Sequence, residues 1–129
     1  MLLKVQAAST RKWYYADYAT FSIDTEANMY TIHLTGYSGN AGDSMSNTTV
    51  EPRWNHNGMK FSTTAIDNDL NTGVNCAGDY DAPFWYNGCW YACLTCYYST
   101  TAFSWYTLND AGLQVEGQLS GARMMIRSN

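Results

Sequence analysis

The sequence predicts one domain in which an antiparallel sheet joins a loop-rich, cross-linked second half. Three observations carry that prediction. The stretches WYYADYATFSI (13–23) and MYTIHL (29–34) are rich in aromatic and β-branched residues and alternate apolar with polar, as half-buried strands do. Residues 59–96 show little periodicity yet contain many aromatics and all four cysteines, at 76, 89, 93 and 96, which suits loops tied by covalent links. With 129 residues, 46% of them hydrophobic and 16% aromatic, the chain can bury one core and is too short for a second domain.

Along the chain, Met1-Leu2-Leu3-Lys4-Val5-Gln6 turns polar too soon for a secretory leader, so a secreted protein would carry its leader outside this chain. No run of about 18 apolar residues exists to cross a bilayer. The strands at 13–23 and 29–34 are joined by Asp24-Thr25-Glu26-Ala27-Asn28, whose side chains favour a turn, and an antiparallel hairpin follows. GYSGNAGDSM (36–45) reads as a glycine-rich loop leading at most into a short helix. SNTTVEPRWNHNG (46–58) is a polar surface excursion that contains the glycosylation sequon Asn47-Thr48-Thr49, in keeping with an extracellular route. FSWYTL (103–108) and ARMMIR (122–127) are expected to form a second strand pair. The chain shows no internal repeat and no linker.

Charged residues make up only 14% of the chain and its net charge is −4, without the basic stripe that phosphate backbones require, so nucleic acid is a poor partner.

DNDLNTGVNC (67–76) places Asp67 and Asp69 one residue apart in a polar bend. Such a run forms a solvated turn or a helix cap when its side chains bond their own backbone. It can also hold calcium, which takes six to eight oxygens from carboxylates, carbonyls and water. An EF-hand loop does not fit, because its sixth position would be Thr72 rather than Gly and its twelfth Gly78 rather than Glu.

The four cysteines allow three pairings. A Cys76–Cys89 bridge would close a loop around AGDYDAPFWYNG, stabilising the fold by about 3 kcal/mol through chain entropy and holding the DNDLNTG bend against aromatic residues. Cys93-Leu94-Thr95-Cys96 is a C-x-x-C without a βαβ pattern, which marks a structural disulfide or two buried thiols rather than a redox pair. Phe84, Trp85 and Tyr86 are read as core residues. His33 is read as a structural histidine on its strand.

Taken together, GYSGNAGDSM, HNGMKFST (56–63), DNDLNTG followed by NCA, and FWYNGC (84–89) resemble the C-terminal part of a fibrinogen-related domain, and ARMMIR resembles that family's closing strand. The resemblance runs from about residue 13 to Arg127. It implies an α+β fold: a twisted antiparallel sheet with a loop-rich, disulfide- and calcium-stabilised C-terminal subdomain. It implies the Cys76–Cys89 disulfide, and calcium held by the Asp67 and Asp69 side chains and the Asn71 and Gly73 carbonyls. The family's lectin members take acetyl groups or sugars beside this loop, on backbone N–H groups next to a cis peptide bond, with aromatics around the ligand. The matching positions are Tyr80, Cys89 and Trp90, and the peptide bond is Gly88–Cys89. Val74 is an extra residue relative to the family, Trp90 replaces its usual His, and Cys93, Thr95 and Cys96 replace Asn, Asn and Gly.

Family domains exceed about 200 residues, so residues 1–129 are expected to form a partial domain lacking the N-terminal subdomain. The exposed sheet must then be covered by the short N-terminal segment or by a second copy, giving a possible homo-oligomer. The expected function is a secreted, calcium-dependent recognition module for acetylated or other carbohydrate ligands, with a role in innate defence. A protein-interaction or structural module for an extracellular protein is the alternative. An enzyme is the weakest reading, since only the C-x-x-C pair offers chemistry and no nucleophile–base pair is evident.

Overall fold

The structure, a computed structural model, describes residues 1–49, 51–109 and 118–128. Its elements are β1 (Leu2–Ala7), β2 (Trp13–Ile23), β3 (Ile32–Gly39), α1 (Cys76–Tyr80), β4 (Ala92–Cys93), β5 (Ser104–Trp105) and β6 (Leu119–Met125), with two single-turn 3-10 helices at Glu26–Asn28 and Pro52–Trp54. Four strands form one antiparallel sheet in the order β3-β2-β1-β6, and β4 pairs with β5 separately. Among the described residues no helix is long and apolar enough to cross a membrane.

The segment that looked only like a failed leader is the centre of the sheet. LLKVQA alternates, so Leu3, Val5 and Ala7 point inward at 0%, 1% and 0% exposure while Leu2, Lys4 and Gln6 face the other way. Burying side chains such as Leu3 and Val5 contributes roughly 1.5–3 kcal/mol each. β1 is bonded on both edges, Leu3 opposite Ala16 of β2 on one side and Met124 of β6 on the other, so it leaves no free ladder groups. The short N-terminal segment is therefore built into the sheet as one of its inner strands.

The hairpin of β2 and β3 forms as expected, with two differences. β3 begins at Ile32 rather than Met29, because Met29 and Tyr30 both adopt left-handed φ, 53° and 54°, and extend the turn. At its other end β3 runs into the predicted glycine loop, pairing Ser38 with Asp17 and Gly39 with Ala16. Gly39 has φ of 141° and lies where a Cβ would stand 2.3 Å from the Tyr15 carbonyl oxygen, so only glycine continues the strand there.

The expected pair of 103–108 with 122–127 is corrected. β5 pairs with β4, and β6 pairs with β1; among the described residues the 103–108 segment instead touches the chain just ahead of 122–127, through the Ser104–Gln118 bridge and a Leu119 N–H to Phe103 carbonyl bond of 3.0 Å. Alternation shows that a segment is a strand and not which strand it joins. The polar excursion 46–58, of which residue 50 lies outside the described residues, is largely on the surface, but His56 within it is fully buried. Phe84, Trp85 and Tyr86 are core residues as read, while His33 is half exposed and pairs with Asp24 at 3.0 Å.

The loop after β3 is fastened to the core by one carboxylate. Asp43 Oδ1 accepts from the Tyr18 hydroxyl at 2.7 Å, from Met45 N–H at 3.1 Å and from Ser46 N–H at 2.8 Å. Burial first, and the Asp43 charge second, push the Tyr18 hydroxyl pKa upward, so it remains a donor. Trp105 Nε1 donates to the Gly42 carbonyl at 2.9 Å and Ser44 Oγ accepts from Thr107 N–H at 3.0 Å, which ties the loop to β5.

Truncating Leu3 to Ala should remove about 2–5 kcal/mol of unfolding free energy, since the site is closed on both strand edges and cannot collapse freely. Urea unfolding would show this as a lower midpoint at unchanged slope; a loss under 1 kcal/mol would mean that β1 is peripheral.

Candidate functional site

The bend at 67–75 folds by a series of side chain to backbone bonds. Asp67 Oδ1 accepts from Asp69 N–H at 3.1 Å, Asp69 Oδ1 from Asn71 N–H at 2.8 Å, and Asn71 Oδ1 from Gly73 N–H at 3.0 Å. Asp69 Oδ2 then reaches across the loop to the Cys76 N–H at 2.8 Å, at the start of α1. Asn75 caps that helix by accepting from Gly78 N–H at 3.1 Å. The turn and the helix start anticipated for this run are thus both present, at different residues. Val74 stands out from the loop, 41% exposed, and leaves the Asp69–Cys76 and Asn71–Gly73 bonds intact.

The Asp67 carboxylate acts on Asp69. Partial burial and the Asp67 carboxylate raise the Asp69 pKa, burial contributing most, while the backbone donors from Cys76 and Asn71 lower it. No cationic side chain is ion-paired with either carboxylate among the described residues. Among the described residues no three His, Cys, Asp or Glu side chains converge on one point, so a calcium ion here would need oxygens from the backbone and water besides Asp67 and Asp69.

The bend is joined to the segment 87–90 at three points. Cys76 and Cys89 form a disulfide with Cα atoms 5.6 Å apart, Leu70 N–H donates to the Asn87 carbonyl at 3.0 Å, and Asn71 Nδ2 lies 3.7 Å from Cys89 Sγ. The Gly88–Cys89 peptide bond is cis. The turn is held from beneath: Gly88 N–H donates to the Arg53 carbonyl at 2.7 Å, and Asn87 Nδ2 donates to the Asn55 carbonyl at 2.9 Å. No hydrogen bond among the described residues uses the Cys89 or Trp90 N–H. Tyr80, at the end of α1, meets Trp90 edge to face at 5.5 Å and stacks on Tyr86 at 6.5 Å. Trp90 Nε1 is buried without a partner among the described residues. The fold therefore gathers Asp67, Asp69, Asn71, Gly73, Tyr80, Cys89 and Trp90 into one region. Cys93 and Cys96 form a second disulfide, with Cys93 fully buried.

His56 was legible only as part of a motif, and the structure gives it work. Its Nδ1 lies 2.7 Å from the Trp85 carbonyl and must donate there, which leaves Nε2 as an acceptor for Tyr91 and Ala92 N–H at 3.1 and 3.0 Å. The next two amides after Cys89 and Trp90 are thus consumed by one neutral imidazole. Burial lowers the His56 pKa to about 4.

With this geometry in place, comparison with known proteins identifies the class. The family profile for the fibrinogen beta and gamma chains, C-terminal globular domain, matches residues 1–127, and the chain belongs to that family. Fibrinogen-like protein 1 of Bos taurus is 42% identical over 87 residues, covering 65% of this chain and 28% of that protein. A techylectin-like protein of Phoneutria nigriventer is 40% identical over 75 residues, covering 58% of this chain and 30% of that protein. The fibrinogen-like globe domain of human ANGPTL2 superposes with a TM-score of 0.72 at 29% identity, covering 94% of this chain and 54% of that one. A lamprey fibrin D-dimer, complexed with the peptide Gly-His-Arg-Pro-amide, shares the fold with a TM-score of 0.75 at 22% identity, covering 94% of this chain and 42% of that one. The chain thus spans about half the length of a solved relative and under a third of these curated ones.

His56 makes stability depend on pH with a definite sign. Its folded pKa, about 4, lies under the ordinary 6.5, so the unfolded chain takes up the proton first; the stabilisation is complete above pH 6.5 and is lost as pH falls toward 4. The loss should approach roughly 3 kcal/mol across that window. Denaturant midpoints measured from pH 7 to pH 4 check it, and a flat profile would contradict a His56 buried in its neutral form.

Proposed function

We propose that this chain is an extracellular, non-enzymatic recognition module that binds calcium in the 67–73 bend and an acetylated or other carbohydrate ligand at the adjoining surface. The observation that carries the reading is the coupling of that bend to the Cys89–Trp90 backbone, through the Cys76–Cys89 disulfide and the Leu70 to Asn87 bond. In the proposed site, the Asp67 and Asp69 carboxylates and the Asn71 and Gly73 carbonyls hold the ion. The Cys89 and Trp90 N–H groups donate to a ligand oxygen, and Tyr80 and Trp90 flank its apolar part. Two disulfides in so small a chain support an oxidising compartment. The likeness to a techylectin-like protein supports a sugar ligand.

The second reading is a peptide or protein ligand at the same surface. Trp90, packed against Tyr80 where the lectin members carry His, favours it by adding apolar area. The peptide named in the lamprey fibrin complex shows that a relative of this fold takes one.

Calcium should raise the unfolding temperature, and free ion at 100 times its dissociation constant corresponds to about 2.7 kcal/mol. Asp67→Asn keeps the one oxygen that accepts from the Asp69 N–H and removes the charge, so it should abolish the calcium-induced rise while leaving the metal-free midpoint within a degree or two, whereas Asp69→Asn also gives up one of its two accepted backbone bonds and should lower that midpoint as well. Retention on an acetylated-sugar resin, with elution by free sugar or chelator and weakening in Trp90→Ala, supports the carbohydrate reading. Absence of glycan binding at millimolar calcium transfers the site to a peptide ligand, and no calcium response at all removes the metal.

A further inference from the structure

The strand register assembles a second surface, unrelated to the calcium bend. Five of the seven Lys and Arg residues, Lys4, Arg11, Lys12, Arg123 and Arg127, lie on β1, the β1–β2 turn, β6 or just beyond it, whereas ten of the eleven Asp and Glu residues lie elsewhere in the sequence, from Asp24 to Glu116. All five cations are exposed, and none is ion-paired among the described residues. On the outward face, Lys4 stands opposite Tyr15 on one side and Arg123 on the other, and in the adjacent row Gln6 stands opposite Trp13 and Gly121.

This row is built rather than incidental. The Trp13 indole crosses Gln6 to lie over Gly121, where a Cβ would come within 3.1 Å of the ring, so the missing side chain is what lets the indole lie down on the sheet. The Arg123 guanidinium sits 5.1 Å from the Trp13 ring centre, a cation–π contact that fixes both groups. Gln6 is clamped beneath, donating through Nε2 to the Arg11 carbonyl at 2.7 Å and accepting from Ser120 Oγ at 3.2 Å. Trp13 and Tyr15 remain 43% and 44% exposed. At the end of the face an open groove of about 540 Å³, lined by Leu2, Asp17, Phe21, Met125 and Arg127 among others, continues the surface.

We propose that this β1-β2-β6 face binds a chain of sulfated sugars. Flat aromatic rings offer stacking surfaces to the C–H faces of pyranose rings, and Lys4, Arg123 and the flanking cations, none of them in an ion pair among the described residues, offer charge to sulfates spaced along the polymer. The charge complementarity is local: at physiological salt the screening length is about 8 Å, so the acidic remainder of the chain does not cancel the field at this face. An acidic peptide would use the cations but would leave the exposed aromatic row without a matching partner.

Binding of a heparin oligosaccharide to the whole chain, measured at 50 and 200 mM salt with chelator present, tests the proposal without involving the calcium site. The expected result is binding that weakens steeply with salt, falls at least tenfold in the Lys4→Gln, Arg123→Gln double variant, and loses roughly one to two in its salt slope. Trp13→Ala should also weaken it, whereas Lys60→Gln should not; thermal midpoints of each variant establish that it is folded. No binding at 50 mM salt, an unchanged affinity in the double variant, or equal affinity for polyglutamate would overturn the assignment, the last transferring the face to an acidic polypeptide.

Discussion

The placement of β1 between β2 and β6 is the constraint on which the rest depends. Six residues at the start of the chain bond a strand that begins more than a hundred residues later, so after β3 the chain must leave the sheet and return to it at β6. The closure entropy of such a loop grows only slowly with length, and the continuous burial of Leu3, Val5, Ala7, Ala16, Tyr18 and Leu119 offsets it. The returning segments are then fixed by polar bonds, at Asp43 on one side of the core and at His56 and Asn87 on the other.

The candidate recognition site is a consequence of that arrangement. With α1 only five residues long and β4 only two, regular structure contributes little to its rigidity. Covalent and side-chain bonds replace it: the Cys76–Cys89 disulfide, the reach of Asp69 to the Cys76 amide, and the neutral imidazole of His56 across two amides. The Asp69 and His56 bonds satisfy backbone N–H groups that the loop would otherwise leave unpaired, at a cost of about 1–3 kcal/mol apiece. The same disulfide and bonds hold the Cys89–Trp90 segment beside Tyr80, so the proposed recognition surface rests on residues that also stabilise the loop.

The distribution of charge also follows from the topology. A chain of net charge −4 carries a basic, aromatic face because β1 and β6, each free of acidic residues, lie side by side while Asp17 is the sole carboxylate of β2. No basic stripe is visible in the linear sequence, since Lys4 and Arg123 are 119 positions apart and meet only through register.

Local patterns settled what several segments are. Alternation at 13–23 marked a strand, DNDLNTG marked an oxygen-rich bend, and the cysteine spacing together with FWYNGC marked the family, because these properties arise from neighbours a few residues apart. Partners were another matter. The pairing of β6 with β1, the use of Leu2–Ala7 as a central strand, the burial of His56 and the assembly of Trp13 with Arg123 were decided only by the tertiary structure. Strand pairing selects among distant segments by the shape and burial of their inner faces, and periodicity within a segment carries no record of that choice.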